Sequence, residues 1–113
     1  MENEMENVTV ERDGAADLEF VGQLLAASGT SPDRGSSYFS GSPGRWTVNK
    51  LWQTEGGAYI VQTIGHTQWQ DETTRYRAAI CASEAEVISF FGFSDLAKDI
   101  YKEAGIDASQ KVA

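Results

Sequence analysis

Three consecutive segments decide the fold: RWTVNKLWQT (residues 45–54), AYIVQTIGHTQWQ (58–70) and TTRYRAAICAS (73–83). All three are rich in aromatic and β-branched residues, which favour β-strands. Short linkers at 55–57 and 71–72 separate them, and both linkers have the length of hairpin turns. The segments therefore predict an antiparallel meander of three strands.

A two-residue turn in each linker would set the register of this sheet. Trp52 then lies opposite Tyr59, and Thr63 lies opposite Ile80. One face of the sheet becomes aromatic and aliphatic while the other is polar, which is the pattern of an antiparallel sheet covered on one side. A three-residue turn at Glu55-Gly56-Gly57 with a bulge is the alternative, and it would break the first of these pairings.

The sequence pattern changes after the third segment, where two helices are predicted. The run Ser83–Glu86 is a capping box, in which the serine and the second glutamate satisfy backbone donors at a helix start. Gly92 ends this helix, and Ser94 caps a second one that ends at Gly105. The second helix carries one apolar stripe, so we expect it to pack against the sheet.

Residues 17–28, DLEFVGQLLAAS, fit either a strand or a helix, and a strand is favoured because Phe-Val-Gly would interrupt a helix early. With this segment included, the predicted class is α+β. It consists of a three- to four-stranded antiparallel sheet with two short C-terminal helices packed on one face, the face of Trp46 and Trp52.

The chain of 113 residues has the length of one domain. Residues 1–16 are acidic and polar and predict a disordered leader, and 17–106 form the single α+β domain. Within it, 29–44 is rich in Gly, Ser and Pro and predicts a flexible loop. Residues 107–113 are expected to fray.

Composition restricts the classes of partner. Seventeen acidic residues against nine Lys and Arg give a net charge of −8, which argues against a general nucleic-acid binder, although it does not exclude one. No apolar run approaches the roughly 20 residues of a membrane span, so no membrane partner is expected. The single cysteine suits a reducing compartment, and the acidic N-terminus does not have the pattern of a signal peptide. Both observations predict a cytoplasmic protein. The oligomeric state is left open.

Candidate catalytic and metal-binding residues are scarce. His66 is the only histidine and Cys81 the only cysteine, and the predicted register gives neither a co-ligand nor an activating partner. No phosphate-binding glycine motif joins a strand to a helix. The sequence therefore predicts no enzyme activity, no metal and no cofactor.

The most distinctive predicted feature is a basic row on the polar, open face of the sheet. In the predicted register Arg45, His66 and Arg77 lie side by side across three strands, which is unfavourable unless an anionic group lies on them. The same face is predicted to carry one apolar spot, the pair Leu51 and Ile60. The candidate partner-binding residues are Arg45, Asn49, Leu51, Ile60, His66, Arg75 and Arg77.

The stretch 45–83 resembles a group of small uncharacterised proteins of bacteria and mobile elements. The likeness rests on Arg-Trp-Thr at 45–47, Thr-x-Gly-Gly-x-Tyr at 54–59 and Gly-x-Thr at 65–67. These motifs are turn glycines and core aromatics, so the resemblance carries no site residues. In small size and acidity the chain is similar to the anti-CRISPR inhibitors that phages encode.

These observations predict a non-enzymatic protein-binding module, an inhibitor or regulator of a host protein complex that is encoded by a phage or mobile element. Its expected contact surfaces are the acidic leader, the 29–44 loop and the open sheet face. The alternative is a protein that contacts an anion or a nucleic acid through the basic row of the same face.

Overall fold

The computed structural model describes residues 5–29, 45–67 and 72–112. It contains one antiparallel sheet that curves into a half-barrel, with its strands in chain order, and two helices. The strands are β1 (Glu6–Val10), β2 (Leu18–Gly29), β3 (Arg45–Thr54), β4 (Tyr59–Thr67) and β5 (Arg75–Cys81), and the helices are α1 (Glu84–Phe91) and α2 (Asp95–Ala104). The predicted α+β class, antiparallel sheet and pair of C-terminal helices are confirmed. The predicted number of strands is too low, since the described residues alone form five.

The additional strand, β1, lies in the segment that was predicted to be a disordered leader. Val10 is only 1% exposed and lies opposite Leu18 of β2. The leader prediction is therefore wrong for Glu6–Val10. The physical reason is that Val8 and Val10 alternate with polar residues, which is enough to give a short strand one apolar face. The predicted 29–44 loop lies, apart from Gly29 at the end of β2, outside the described residues.

β2 is the strand predicted for residues 17–28, and it is bent. Its first part pairs with β1 and its second part with β3, and its pairing shifts between Leu24 and Ala26. Where the two parts meet, a Cβ on Gly22 would lie 2.4 Å from the carbonyl oxygen of Gln53, so only glycine fits there. The close approach allows the β1–β2 hairpin to turn away from the plane of β3.

The β1–β2 hairpin folds back over the sheet, and its turn contacts the far strands. The backbone N–H of Asp13 donates to the carbonyl of Tyr76 on β5, at 2.9 Å. The side chain of Gln62 on β4 donates to the carbonyl of Glu11, at 2.8 Å. These bonds hold the hairpin against the face of the sheet that is opposite the helices, so neither face is open along its whole length.

The β3–β4 turn has three residues, which is the alternative that the sequence left open. Gly57 N–H donates to the Thr54 carbonyl at 2.9 Å, and Gly57 has a φ of +96°, a backbone conformation that favours glycine. Trp52 consequently lies opposite Ile60 and not opposite Tyr59. Ile80 also lies opposite Ile60 and not opposite Thr63, so both predicted registers are wrong.

The corrected register gives the sheet two buried clusters, one on each face. On the helix-side face, Leu51, Val61 and Cys81 pack against Val87 of α1 and Ile100 of α2. The hairpin-side face buries a smaller cluster of Val10, Leu18, Trp52 and Ile60. Trp46 and Trp52 were predicted to face the helices. They lie on the hairpin-side face because a one-residue change in register exchanges the two faces of a strand.

Both helices begin and end where predicted. The Ser83 and Ser94 side chains accept hydrogen bonds from the backbone N–H groups of Glu86 and Ala97. Gly105, at φ +77°, ends α2 in the left-handed conformation. Residues 107–112 follow without regular structure, and their predicted fraying stays a prediction. Neither described helix has the length and apolar character needed to cross a membrane.

Candidate functional site

The structure divides the predicted partner-binding residues between the two faces of the sheet. Arg45, Asn49, Leu51, Arg75 and Arg77 belong to the helix-side face, and Ile60 and His66 belong to the hairpin-side face. The predicted row of Arg45, His66 and Arg77 therefore does not form. The predicted apolar spot on an open face is also wrong, because Leu51 is 0% exposed and Ile60 3% exposed.

His66 has a packing partner of its own on the hairpin-side face. Its ring stacks on that of Trp46, with 5.0 Å between the ring centroids and 17° between the ring planes. The two residues lie opposite each other on β3 and β4, and both are half-buried. His66 therefore has a structural role, as one member of a stacked cross-strand pair of rings.

The remaining polar residues of the prediction come together on the helix-side face. Past the row that the helices cover, this face continues as polar side chains and one glycine across β3, β4 and β5. We name this surface the threonine–arginine patch, and its members are Arg45, Thr47, Asn49, Thr63, Gly65, Thr67, Arg75 and Arg77. The register places Asn49, Thr63 and Arg77 in one row, and Thr47, Gly65 and Arg75 in the next.

The first row of the patch is ordered by contacts with its neighbours. Thr63 Oγ1 donates to Asn49 Oδ1 at 2.8 Å. Arg77 Nη2 donates to the carbonyl of Phe90 in α1 at 3.3 Å, and its guanidinium carbon lies 4.5 Å from the centroid of the Phe90 ring. Stacking and hydrogen bonding together hold this guanidinium in place. Most of its five N–H donors stay available for a ligand.

The second row forms a flat floor. Among residues 5–29, 45–67 and 72–112, no atom would lie closer to a Cβ on Gly65 than the Cβ of Arg75, at 4.0 Å, so none of these residues fills the space above this glycine. Arg75 is exposed and belongs to no ion pair within the part of the chain that is described. Arg75 and Arg77 are two positions apart on β5, so both side chains leave the same face of the strand.

The third arginine of the patch is paired. Arg45 Nε donates to Glu72 Oε1 at 3.1 Å and Arg45 Nη2 donates to Glu72 Oε2, a two-bond pairing of guanidinium and carboxylate. Thr67 Oγ1 also donates to Glu72 Oε1, at 2.8 Å. These hydrogen bonds, first from Arg45 and then from Thr67, lower the pKa of Glu72. Three arginines against one glutamate leave the patch with an excess of positive charge on a strongly acidic chain.

The patch contains arginine donors for anionic oxygen atoms, and the hydroxyl of Thr67 is already bonded to the Glu72 carboxylate. No group of three or more His, Cys, Asp and Glu that could hold a metal ion occurs in residues 5–29, 45–67 and 72–112. Cys81 lies under the helices and is 3% exposed. Burial, and secondarily the nearby Glu86 carboxylate, raise the pKa of its thiol, which disfavours the reactive thiolate.

We expect native Cys81 to react with a thiol reagent such as Ellman's reagent at least about tenfold more slowly than the same thiol in the unfolded chain, because it is buried and protonated. The reaction followed at 412 nm, in buffer and in urea at the same pH, measures the ratio. The chain has no second cysteine, so the unfolded protein is a complete control. Equal rates in buffer and urea would contradict the buried position.

Sequence reasoning missed the threonines, Gly65 and Glu72. A signal was present, since Thr63, Gly65 and Thr67 alternate along one strand just as Arg75 and Arg77 alternate along the next. Comparisons with protein-family models, with curated proteins and with solved structures found no match. The candidate site therefore depends on its geometry alone.

Proposed function

We propose that this protein is a non-enzymatic protein-binding module that uses the threonine–arginine patch to hold an acidic segment of its partner. The observation that carries the proposal is that two exposed arginines, Arg75 and Arg77, lie on the same face of β5, with Arg75 directly opposite Gly65. Arginine binds carboxylates through paired hydrogen bonds. An acidic segment would add carboxylates to a patch in which the carboxylate of Glu72 is shared, since Glu72 is bonded to Arg45 and interacts electrostatically with Arg75.

The acidity of the whole chain favours a short acidic segment over a long polyanion. A nucleic acid would experience the repulsion of the net charge of −8, whereas a short segment of a partner contacts the patch alone. Single-stranded nucleic acid is also held by stacking on aromatic rings. The exposed parts of Trp46 and Tyr76 lie on the hairpin-side face, away from the arginines.

A second candidate is a contact with a phosphate or a nucleic acid through the same patch. The favouring observation is the pair of exposed arginines, Arg75 and Arg77, on one face of β5, since arginine recognises phosphate by the same paired hydrogen bonds. The narrower sequence prediction, an anti-CRISPR-like inhibitor of phage or mobile-element origin, rests on small size, acidity and the resemblance over 45–83. It and the cytoplasmic location stay predictions.

Reversing two charges tests the patch. The double variant Arg75→Glu/Arg77→Glu is expected to bind an acidic partner about 30-fold more weakly, a loss of about 2 kcal/mol, because attraction is replaced by repulsion. The probe is a fluorescein-labelled hexaglutamate peptide measured by anisotropy, followed by the partner recovered from a pull-down. Stability should change by less than about 1 kcal/mol, since both side chains are exposed.

The matched control is Lys98→Glu/Lys102→Glu, which reverses two exposed charges on α2. It should bind the probe as wild type does, apart from a small effect of overall charge. Binding that survives the arginine reversal but is lost in the lysine reversal would move the interface to α2. A short DNA strand that binds more tightly than the peptide, with a steep salt dependence, would favour the second candidate.

A further inference from the structure

β5 is the edge of the sheet, and half of its backbone groups point away from β4. Tyr76 shows which half. Its carbonyl accepts from the backbone N–H of Asp13 at 2.9 Å, and its N–H donates to Asp13 Oδ2 at 2.9 Å. Because backbone groups alternate in direction along a strand, the N–H and C=O groups of Ala78 and Ile80 point to the same outer side.

These outer groups of Ala78 and Ile80 have no hydrogen-bond partner within the part of the chain that the structure describes. The unpaired stretch has a defined end on each side. Asp13 occupies the edge at Tyr76, where it bonds as a neighbouring strand would. At the other end the Ala82 N–H donates to Glu86 Oε1 at 2.8 Å. The free edge therefore extends from Arg77 to Cys81.

The side chains beside this free edge differ between its two faces. On the hairpin-side face, Ile80 is 61% exposed, which is unusual for a large aliphatic residue. On the helix-side face, Arg77 belongs to the threonine–arginine patch and is held in place by Phe90. The edge thus combines unpaired backbone donors and acceptors with one apolar contact and one positive charge.

We propose that the β5 edge binds an extended segment of the partner as an added strand, with an aliphatic residue against Ile80 and a carboxylate on Arg77. This inference rests on the proposed function and names how the acidic segment is recognised. Arg77 and Ile80 are three positions apart, so they lie on opposite faces of the strand. The segment therefore carries its acidic and its aliphatic residue three positions apart, with backbone hydrogen bonds opposite Ala78 and Ile80.

Charge decides between a partner segment and a second copy of this chain. A second copy could pair Ala78 with Ile80 and Ile80 with Ala78, but it would bring a further net charge of −8 to the interface. A short acidic segment adds few charges, and it brings them to the arginines. The edge is thus better suited to a segment of another protein.

The test is a titration followed by the backbone amide signals of the isotope-labelled protein in NMR spectra. The probe is the capped peptide Thr-Glu-Thr-Thr-Val-Thr, in which the acid and the aliphatic residue are three positions apart. The largest shifts are expected at the amides of Ala78 and Ile80. A second peptide, methylated on the backbone nitrogen of its valine, should bind at least about tenfold more weakly, because it lacks the donor that faces Ile80.

Two variants give a matched comparison. Ile80→Lys removes the apolar contact and should weaken the probe about tenfold. Leu24→Lys is the control, because Leu24 is 51% exposed and lies in the same cross-strand row as Ile80, with Trp52 and Ile60 between them. It should bind the probe as wild type does. Equal weakening in both variants, or largest shifts away from β5, would overturn the inference.

The outcomes separate this inference from the proposed function. If the methylated peptide binds as well as the parent but both require Arg75 and Arg77, the patch stands and the added strand is wrong. If the parent peptide shifts the amides of Ala78 and Ile80 as strongly in the Arg75→Glu/Arg77→Glu variant as in wild type, the added strand stands, and the role of the arginines is wrong, including the contact of a carboxylate with Arg77. Sedimentation of a dimer without peptide, lost in Ile80→Lys, would assign the edge to a second copy.

Discussion

Trp52→Ala is expected to lower the free energy of unfolding by about 3–5 kcal/mol, which for a domain of this size removes much of its stability. Trp52 is 8% exposed and packs in the cluster that joins the β1–β2 hairpin to the sheet. Its ring also meets that of Phe20 edge-on, with 6.1 Å between the centroids. Alanine would leave a cavity between the two layers. Urea denaturation followed by far-UV circular dichroism measures the loss.

The control for this variant is Trp46→Ala. Trp46 lies on the same face of β3 but is half-buried, with His66 as its ring partner. Its removal should cost about 1–2 kcal/mol, since part of the ring is already in water. If the two variants lose equal stability, or Trp46→Ala loses more, the hairpin does not cover the sheet at Trp52.

Val10→Asp is expected to destabilise the protein by about 3–5 kcal/mol at neutral pH, because it places an unpaired carboxylate in an apolar cluster. Val10 is 1% exposed. Burial raises the pKa of such a carboxyl above its unfolded value of about 3.9, so the folded state binds more protons than the unfolded state. Stability relative to wild type therefore falls as the pH rises from about 4 towards 7.

Urea denaturation at pH 4 and pH 7 measures this dependence. Val10→Ala is the uncharged control, and it should show a smaller loss that is the same at both pH values. Should the variant be unfolded at pH 7, the acidic measurement and the alanine variant still report on the site. A near-neutral effect of both substitutions would mean that residues 6–10 do not form a strand of the sheet and that the leader interpretation was correct.

The elements that depend on near neighbours in sequence were the predictable ones. The helix starts at Ser83 and Ser94 and the helix end at Gly105 are local hydrogen-bonding patterns, and they occur where expected. The strand character of 45–54 and 75–81 follows from β-branched and aromatic residues, and it is also correct. The fold class follows from these elements alone.

The register was not predictable, because two turn geometries fit the same residues. Glu55-Gly56-Gly57 supports a two-residue or a three-residue turn, and the choice depends on Gly57 adopting a positive φ. One residue of difference exchanged the faces of β3. It turned Leu51 from an expected surface residue into a core residue and placed His66 on the face opposite Arg45.

The candidate site was only partly predictable for the same reason. Arg45, Arg75 and Arg77 are brought together as expected, because odd-numbered residues of β3 and β5 share a face in the structure as in the prediction. His66 and Ile60, on β4, are separated from these arginines, because the registers on both sides of β4 differ from the prediction by an odd number of residues. β1 was missed because its stability depends on packing of Val10 in a cluster with Trp52 and Ile60, which are distant in sequence. Its own five residues contain only two apolar side chains.

The contact of Asp13 with Tyr76 has a consequence for the order in which the chain folds. Every pair of neighbouring strands is also consecutive in sequence, so the sheet can grow by adding one hairpin at a time. The Asp13–Tyr76 bonds instead join residues 63 positions apart. Closing such a long loop costs more chain entropy than closing a hairpin, and the hydrogen bonds that offset this cost form only once β5 is in place. Closing of the half-barrel is therefore expected to be a late folding step and its opening an early unfolding step.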